Sequence, residues 1–555
     1  MMRCLLLSYL LASCSLASAQ SHDLEKRYID AWKAFYPSKA VQLGMHDQVH
    51  SYDDLSLESV GAWLALQKEL LPQCIDLRSS KNPVTRINAI HLGQQIKSEI
   101  FKWEGEAPHK KQLTLYTDLI SKAIGKVAQF DFLPPIEKEH VVSQRKVAVQ
   151  NLCRAAIHSL QMCSTQDIQQ GQEHLTKTRA DLDESPQDFS KTVEWIDSLS
   201  EHVQRILLPI ATEDPIGLGR AAYAEKLAIY TDDAITPEDL EAMALEEIQL
   251  TKELMADIAG IHFQKKHPGD AKPNAAQLID LALADMEKDV TSNAREYTAF
   301  WQDLADSLIE FISVHDLATL PQNQTLSITP APESAGPAAR IGWVASSPPF
   351  AANPWTTLYL PSIPDTLSEQ EQKDFWASFN KPFNRMIAIH ELYPGHYVQI
   401  KISRETPHTI RLLFPYGPYI EGWATFTEKI LLDAGWDADK PLTMLAHLRK
   451  RLENANRAYT SVMVHCHDWD IDQVMQHSTT EALLAPQFAK SLWGRLLRGP
   501  MQMTSYFFGG KQFREMYQAE RERQGSDFVL KDFMDLCMRT GPIPILEFPA
   551  LMGAN

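Results

Sequence analysis

The chain has 555 residues, 44% of them hydrophobic, and a formal net charge of −18. That length permits several domains, yet no long linker, repeat or low-complexity block divides it. The acidity and the lack of a basic patch exclude a nucleic-acid surface, which needs Lys and Arg to neutralise phosphates.

Met1-Met-Arg3, the short apolar run Cys4 to Leu16 and the small residues Ala17-Ser-Ala19 read as an export signal over residues 1–19. Leu11-Ala-Ser-Cys14 also reads as a bacterial lipobox that would lipidate Cys14. Cleavage after Ala19 and a lipid anchor both stay open, and either route exports the protein to the periplasm or beyond. No later stretch reaches membrane-spanning length. Cleavage would leave Cys74, Cys153, Cys163, Cys466 and Cys537, too scattered for a disulfide framework. Cys153 and Cys163 read as sharing one helix, about 15 Å apart and beyond bridging distance.

Asp23 to Val127 reads as amphipathic helices with short polar breaks; Ile87, Ile90, Ile96 and Ile100 have helical spacing. Further helices are expected over about Val141 to Met162, Val193 to Leu208, and from Thr236-Pro237-Glu238-Asp239 toward Ala259. The last opens with a capping residue, a first-turn proline and acidic neighbours. His91, His109, His158 and His174 lack the company of other metal ligands. After Leu320 the composition turns to Pro, Ser, Ala and Asn, with β-like runs at Thr325 to Thr329, Ile341 to Ala345 and Thr356 to Leu360. One of the last two runs is a candidate edge strand for an extended substrate backbone; a plain structural sheet is the other reading. Ser368-x-x-Glu371 is a capping box for the next helix.

The stretch Arg385 to Gln399 contains His390-Glu391-x-x-Pro394-Gly395-His396, a variant of the His-Glu-x-x-His signature of zinc peptidases. Neutral imidazoles bind zinc, and a neighbouring glutamate can take a proton from an activated water. A six-residue spacing puts the histidines about 120° out of register on a regular helix. Proline removes a backbone donor and glycine tolerates unusual dihedrals, so the helix is expected to break at Pro394-Gly395 and bring His396 back beside His390. Phe383, Met386, Ile387 and His390 form an inward stripe leading into the motif.

A third ligand is expected from the helix after Gly417-Pro418, where Glu421 and Glu428 share one face. Glu421 is assigned to the metal and Glu428 to orienting a histidine. A long helix from about Pro441 beyond Met463 carries Arg457, Ser461 and His465 four apart, and Gln502 and Tyr506 form another polar pair. His465 and Tyr506 are assigned as donors to the oxyanion of amide cleavage, with Arg457 and Gln502 as anchors for a substrate carboxylate or carbonyl.

His390-Glu391-x-x-Pro394-Gly395-His396-x-x-Gln399, followed by Glu421-Gly422-Trp423-Ala424 and Glu428, resembles the bacterial domain-of-unknown-function family 885. The likeness extends from Tyr36-Pro37, Gly44 to Asp47 and Tyr52 to Leu55 through to Arg457, His465-x-x-x-Trp469, Pro500 to Gly509 and Phe528 to Pro544. The chain departs from the family pattern at Ser461, Met463 and Met534. The resemblance implies the zincin-like metallopeptidase clan, whose helical members include the angiotensin-converting-enzyme type. The expected fold is therefore mainly α, a multi-helix zincin-like unit over 20–555 with a deep groove between its halves. Its parts are a helical half at 20–320, a Pro-rich segment with short strands at 321–365 and a metal-site half at 366–555, the small sheet lying beside the metal-binding helix. His390, His396 and Glu421 would hold one zinc per chain, and Glu391 would act as general base on short or unfolded peptides. A zinc amidase or deacylase on cell-wall or other amides would use the same site. A non-catalytic exported zinc-binding protein would need the ligands but not Glu391.

Overall fold

The computed structural model describes residues 20–213, 215–291, 293–322, 325–363 and 367–553; the expected export signal, with Cys14 and Ala19, lies outside them. The chain forms two compact units. One comprises the residues up to Pro215 with Phe350–Ala352, the other Ile216–Pro349 with Asn353–Asn555. The compositional change after Leu320 is thus internal to the second unit, because helices before and after it share one apolar core. Among the described residues, no helix is long and apolar enough to cross a membrane.

The first unit is built of helices, among them Leu57–Leu77, Pro83–Ile100, Leu113–Gly125, Pro135–Ser159 and Thr165–Asp183. Their starts follow local chemistry: Ser56, Asn82 and Ser164 each accept a hydrogen bond from a first-turn amide. Its aromatic core closes around buried Glu99, which accepts from Tyr36 Oη at 2.7 Å, Trp63 Nε1 at 2.9 Å and Trp103 Nε1 at 3.1 Å. Cys153 and Cys163 do not share a helix, since the helix stops at Ser159 and a short extended stretch follows. Both are free thiols, as are Cys74, Cys466 and Cys537.

Six helices of the second unit build or back the site: α1 (Pro237–Lys266), α2 (Lys381–Glu391), α3 (His396–Ser403), α4 (Gly417–Asp433), α5 (Pro441–His467) and α6 (Pro500–Gln524). Helix α1 opens on the expected cap, now a full capping box between Thr236 and Asp239, and runs past Ala259 to Lys266. Its buried Leu240, Ala244, Ile248 and Met255 join one core with Met386 of α2, Leu448, Leu452, Ala455 and Ala458 of α5, and Met503 and Phe507 of α6. Helices α4 and α6 cross through glycines. A Cβ on Gly422 would lie 2.4 Å from the Gly509 backbone, and one on Gly509 would lie 1.9 Å from the Pro418 carbonyl oxygen. Only two glycines permit that approach.

The sheet has three strands: β1 (Leu326–Pro330), β2 (Trp343–Ser346) and β3 (Thr356–Leu360). Their order is β1-β3-β2, with β1 parallel and β2 antiparallel to β3. Since β3 is hydrogen-bonded on both sides, it cannot be the edge that receives a peptide; of the two candidate runs only β2 is an edge strand. The sheet lies beside α3: Lys401 donates to Thr325 Oγ1 and Arg404 to the Ser347 carbonyl. The Ser368–Glu371 capping box forms as expected and opens the helix Glu369–Ser378.

Candidate metal centre

Helix α2 starts with Asn380 as cap and Pro382 in the first turn, and ends at Glu391. Residues 392–395 are not helical; α3 then begins at His396. The break is where the six-residue spacing required it. Gly395 donates its N–H to the Ile389 carbonyl at 3.0 Å, and a Cβ there would sit 1.9 Å from the His390 carbonyl oxygen. The turn therefore folds back so tightly that no other residue fits. Trp423 of α4 fixes it from outside, donating Nε1–H to the Pro394 carbonyl at 3.0 Å.

This folding-back places the two imidazoles edge to face with centroids 4.8 Å apart. Glu421, from the first turns of α4, converges on them: its Oε2 lies 3.9 Å from His390 Nε2 and 3.4 Å from His396 Nε2. One ligand atom from each of the three lies within 4.8 Å of the others, the sole such group of metal-capable side chains among the described residues. Two imidazoles and a carboxylate are the donor set of a three-ligand zinc site with one open position. An ion at about 2.0–2.1 Å from each ligand needs donors no more than about 4 Å apart, so the widest separation would close slightly on binding. The set fits the ion.

Behind His390 stands Glu428, wholly buried. Its Oε1 lies 2.7 Å from His390 Nδ1 and its Oε2 2.7 Å from His447 Nδ1. The tautomer assigned from this contact carries its proton on Nδ1 and leaves the His390 Nε2 lone pair toward Glu421. His447 was not singled out in the sequence. It lies 18 residues before His465, five full turns of α5, on the same polar stripe, and that spacing was the signal to use. His396 has no such support: its Nδ1 is buried without a partner.

Burial pushes His390 well below its ordinary value, with His396, Lys450 and Arg457 acting in the same direction. It is therefore neutral, as a ligand must be. Burial works against a charged His396, but its hydrogen bond and charge pairing with Glu421 win and raise it. Glu421 answers in kind: burial raises it, while His396 and Tyr506 hold it below the usual range. Burial raises Glu391, aided by Glu421 and opposed by His396 and Lys450. Burial also pushes Glu428 well up against the pull of Lys450 and Arg514. A bound dication would lower every carboxylate around it.

Of the remaining expected residues, Tyr506 and Arg457 join the cluster. Tyr506 lies beside Glu421 and helps to hold its carboxyl down, and the Arg457 guanidinium lies over the Tyr506 ring, 4.6 Å from the centroid. Gln502 does not, being exposed in the first turn of α6. His465 does not either. Its Nδ1 accepts from the Leu218 N–H at 3.1 Å, its Nε2 faces the Leu496 carbonyl at 3.2 Å, and its ring stacks on Tyr223. A donor to a substrate oxyanion needs a free N–H, and both ring nitrogens are taken by main chain. Lys450, Glu453 and Arg495, unmarked in the sequence, adjoin the cluster instead.

A search of curated proteins found no match for the chain. Two solved structures are similar over nearly their whole length. One, from Shewanella oneidensis, is titled a "putative lipoprotein of unknown function" and shares 17% identity over 96% of this chain and 99% of that one, with a TM-score of 0.79. The other, a "putative lipoprotein" from Colwellia psychrerythraea, shares 16% identity over 96% and 98% of the two chains, with a TM-score of 0.71. These likenesses show a shared fold. At the level of sequence, the family model for bacterial proteins of unknown function, DUF885, matches residues 37–551, and the chain belongs to that family.

Proposed function

We propose that the protein is an exported zinc-dependent metallopeptidase with a helical, zincin-like architecture. The observation that supports this best is the convergence of His390, His396 and Glu421 beside Glu391, the last residue of α2. A structural metal site needs three or four ligands but no adjacent carboxylate base. Zinc, when bound, would supply an acidified water and a Lewis acid for the peptide carbonyl. Glu391 takes the proton of the attacking water and passes it to the leaving amine. Tyr506 donates its phenol O–H to the oxygen that gains charge, with Arg457 over its ring adding positive potential. Glu428 keeps His390 in its ligating tautomer. In this reading His465 is a packing residue.

Export rests on the Met1–Ala19 pattern and on both structural neighbours being described as lipoproteins; palmitate labelling with and without Cys14→Ser separates lipidation from cleavage after Ala19. The catalytic reading is tested with purified protein carrying about one zinc per chain, as such sites hold one ion. A mixed peptide library, followed by mass spectrometry, should be cleaved by the zinc form and spared after chelation. Glu391→Gln should keep the zinc and lose about 10²–10⁴-fold in rate. Retained zinc with no cleavage by the native protein would point to storage rather than catalysis.

A further inference from the structure

Next to the candidate ligands lie three cations, Arg457 buried and Lys450 and Arg495 half-buried, not all of which have a direct carboxylate partner. Lys450 and Arg457 of α5 both reach Glu453, Lys450 at 3.3 Å and Arg457 in closer contact; Arg457 also donates to Asn454 at 3.2 Å. Arg495, from the helix Pro486–Arg498, neighbours Tyr506. Among the described residues it makes no ion pair with a carboxylate. Glu453 is thus the carboxylate in direct ion-pair contact with Lys450 and Arg457, while Glu391, Glu421 and Glu428 act on them only through space. They adjoin the site through Tyr506: the Arg457 guanidinium lies over its ring, and Arg495 and Glu421 both neighbour its phenol. The side chains are sequestered but not sealed: exposure is 13% for Lys450, 22% for Glu453 and 5% for Arg457.

Sequestered charges are retained only when paired, and guanidinium groups match carboxylates bidentately. We infer that Lys450, Arg457 and Arg495 form a subsite for a substrate carboxylate one or two residues from the scissile bond. The peptidase would then prefer peptides with a free C-terminus or an acidic side chain near the cut. This rests on the peptidase reading for the reaction, but the carboxylate subsite can be tested by binding alone.

The probe is a tetrapeptide library in three forms: free C-terminus, C-terminal amide, and C-terminal amide with Asp as last residue. Zinc-loaded Glu391→Gln protein is used to retain peptides for affinity selection read by mass spectrometry. The free-acid form should be retained on the order of a hundredfold better than the plain amide, as expected for a desolvated charge pair. Arg457→Gln and Arg495→Gln in the same background should lose that preference. The ratio of acid to amide is read within one preparation, so partial misfolding cancels. Equal retention of the two forms, or no retention of either, overturns the subsite. Rescue of the amide by terminal Asp assigns the side chain as the carboxylate recognised; no rescue assigns the C-terminus. The native protein, given the same libraries, tests the parent reading separately: preference in binding without any hydrolysis would sink the peptidase and leave the subsite standing.

Discussion

Along α5 from His447 to Arg457, His447 shares the buried Glu428 with His390, and Arg457 lies over Tyr506 beside the candidate metal ligands. In the last turn of the same helix, on the same stripe, His465 gives both ring nitrogens to main-chain groups of Leu218 and Leu496. The two histidines are five turns apart, about 27 Å along the axis, too far to serve one ion or one scissile bond. A polar stripe on an otherwise apolar helix thus marks an inward face, while the elements packed against each part decide its work. α4 and α6 bring Glu428 and Tyr506 to one part. Main-chain groups of Leu218 and Leu496, paired by His465, occupy the other.

That division can be broken or sharpened by substitution. The largest effect is expected from Tyr506→Phe, which removes the donor next to Glu421: kcat should fall about a hundredfold with KM little changed, measured in steady state on any cleaved peptide. His447→Ala should weaken zinc about 10–100-fold, as loss of a ligand's supporting partner does; competition with a chelator measures this. His465→Ala leaves two main-chain groups unpaired and should cost about 1–3 kcal/mol of stability, read as a lowered Tm, while activity per bound zinc stays unchanged. A fall in kcat there would erase the distinction between the two parts. The smallest effect concerns Glu453. Burial raises its carboxyl, but Arg457, Lys450 and Arg495 outweigh this and hold it at about 2, below the ordinary 4.5. A depressed carboxylate stabilises the fold above its unfolded value, and that stability is lost as pH falls through the folded value. The Tm advantage of native protein over Glu453→Gln should therefore be full above pH 4.5 and shrink as pH drops toward 2.

Much of the site was legible because local chemistry dictates it. The break at Pro394-Gly395 follows from needing two histidines on one side at a spacing the α-helix forbids, and Gly395 is the residue that the return turn demands. Glu421 and Glu428 were distinguishable by position on one face of α4. Two helix starts were visible as caps, at Thr236 and Ser368. What was not legible depends on tertiary contact. Nothing in the order of residues tells that Leu218 reaches His465, that Gln502 faces solvent, or that Arg495 comes over from another helix to Tyr506. Likewise β3, the most regularly alternating run, becomes the middle strand only because β1 pairs with it across 30 residues.

The claim on which the rest depends is that His390, His396 and Glu421 bind one ion together. Crystals of the zinc-loaded protein, with diffraction recorded on both sides of the zinc absorption edge, test it most directly. The account predicts a single strong anomalous peak bounded by His390 Nε2, His396 Nε2 and a Glu421 oxygen, with Glu391 outside bonding distance. No peak there after zinc loading, or a peak held by other side chains, would contradict it.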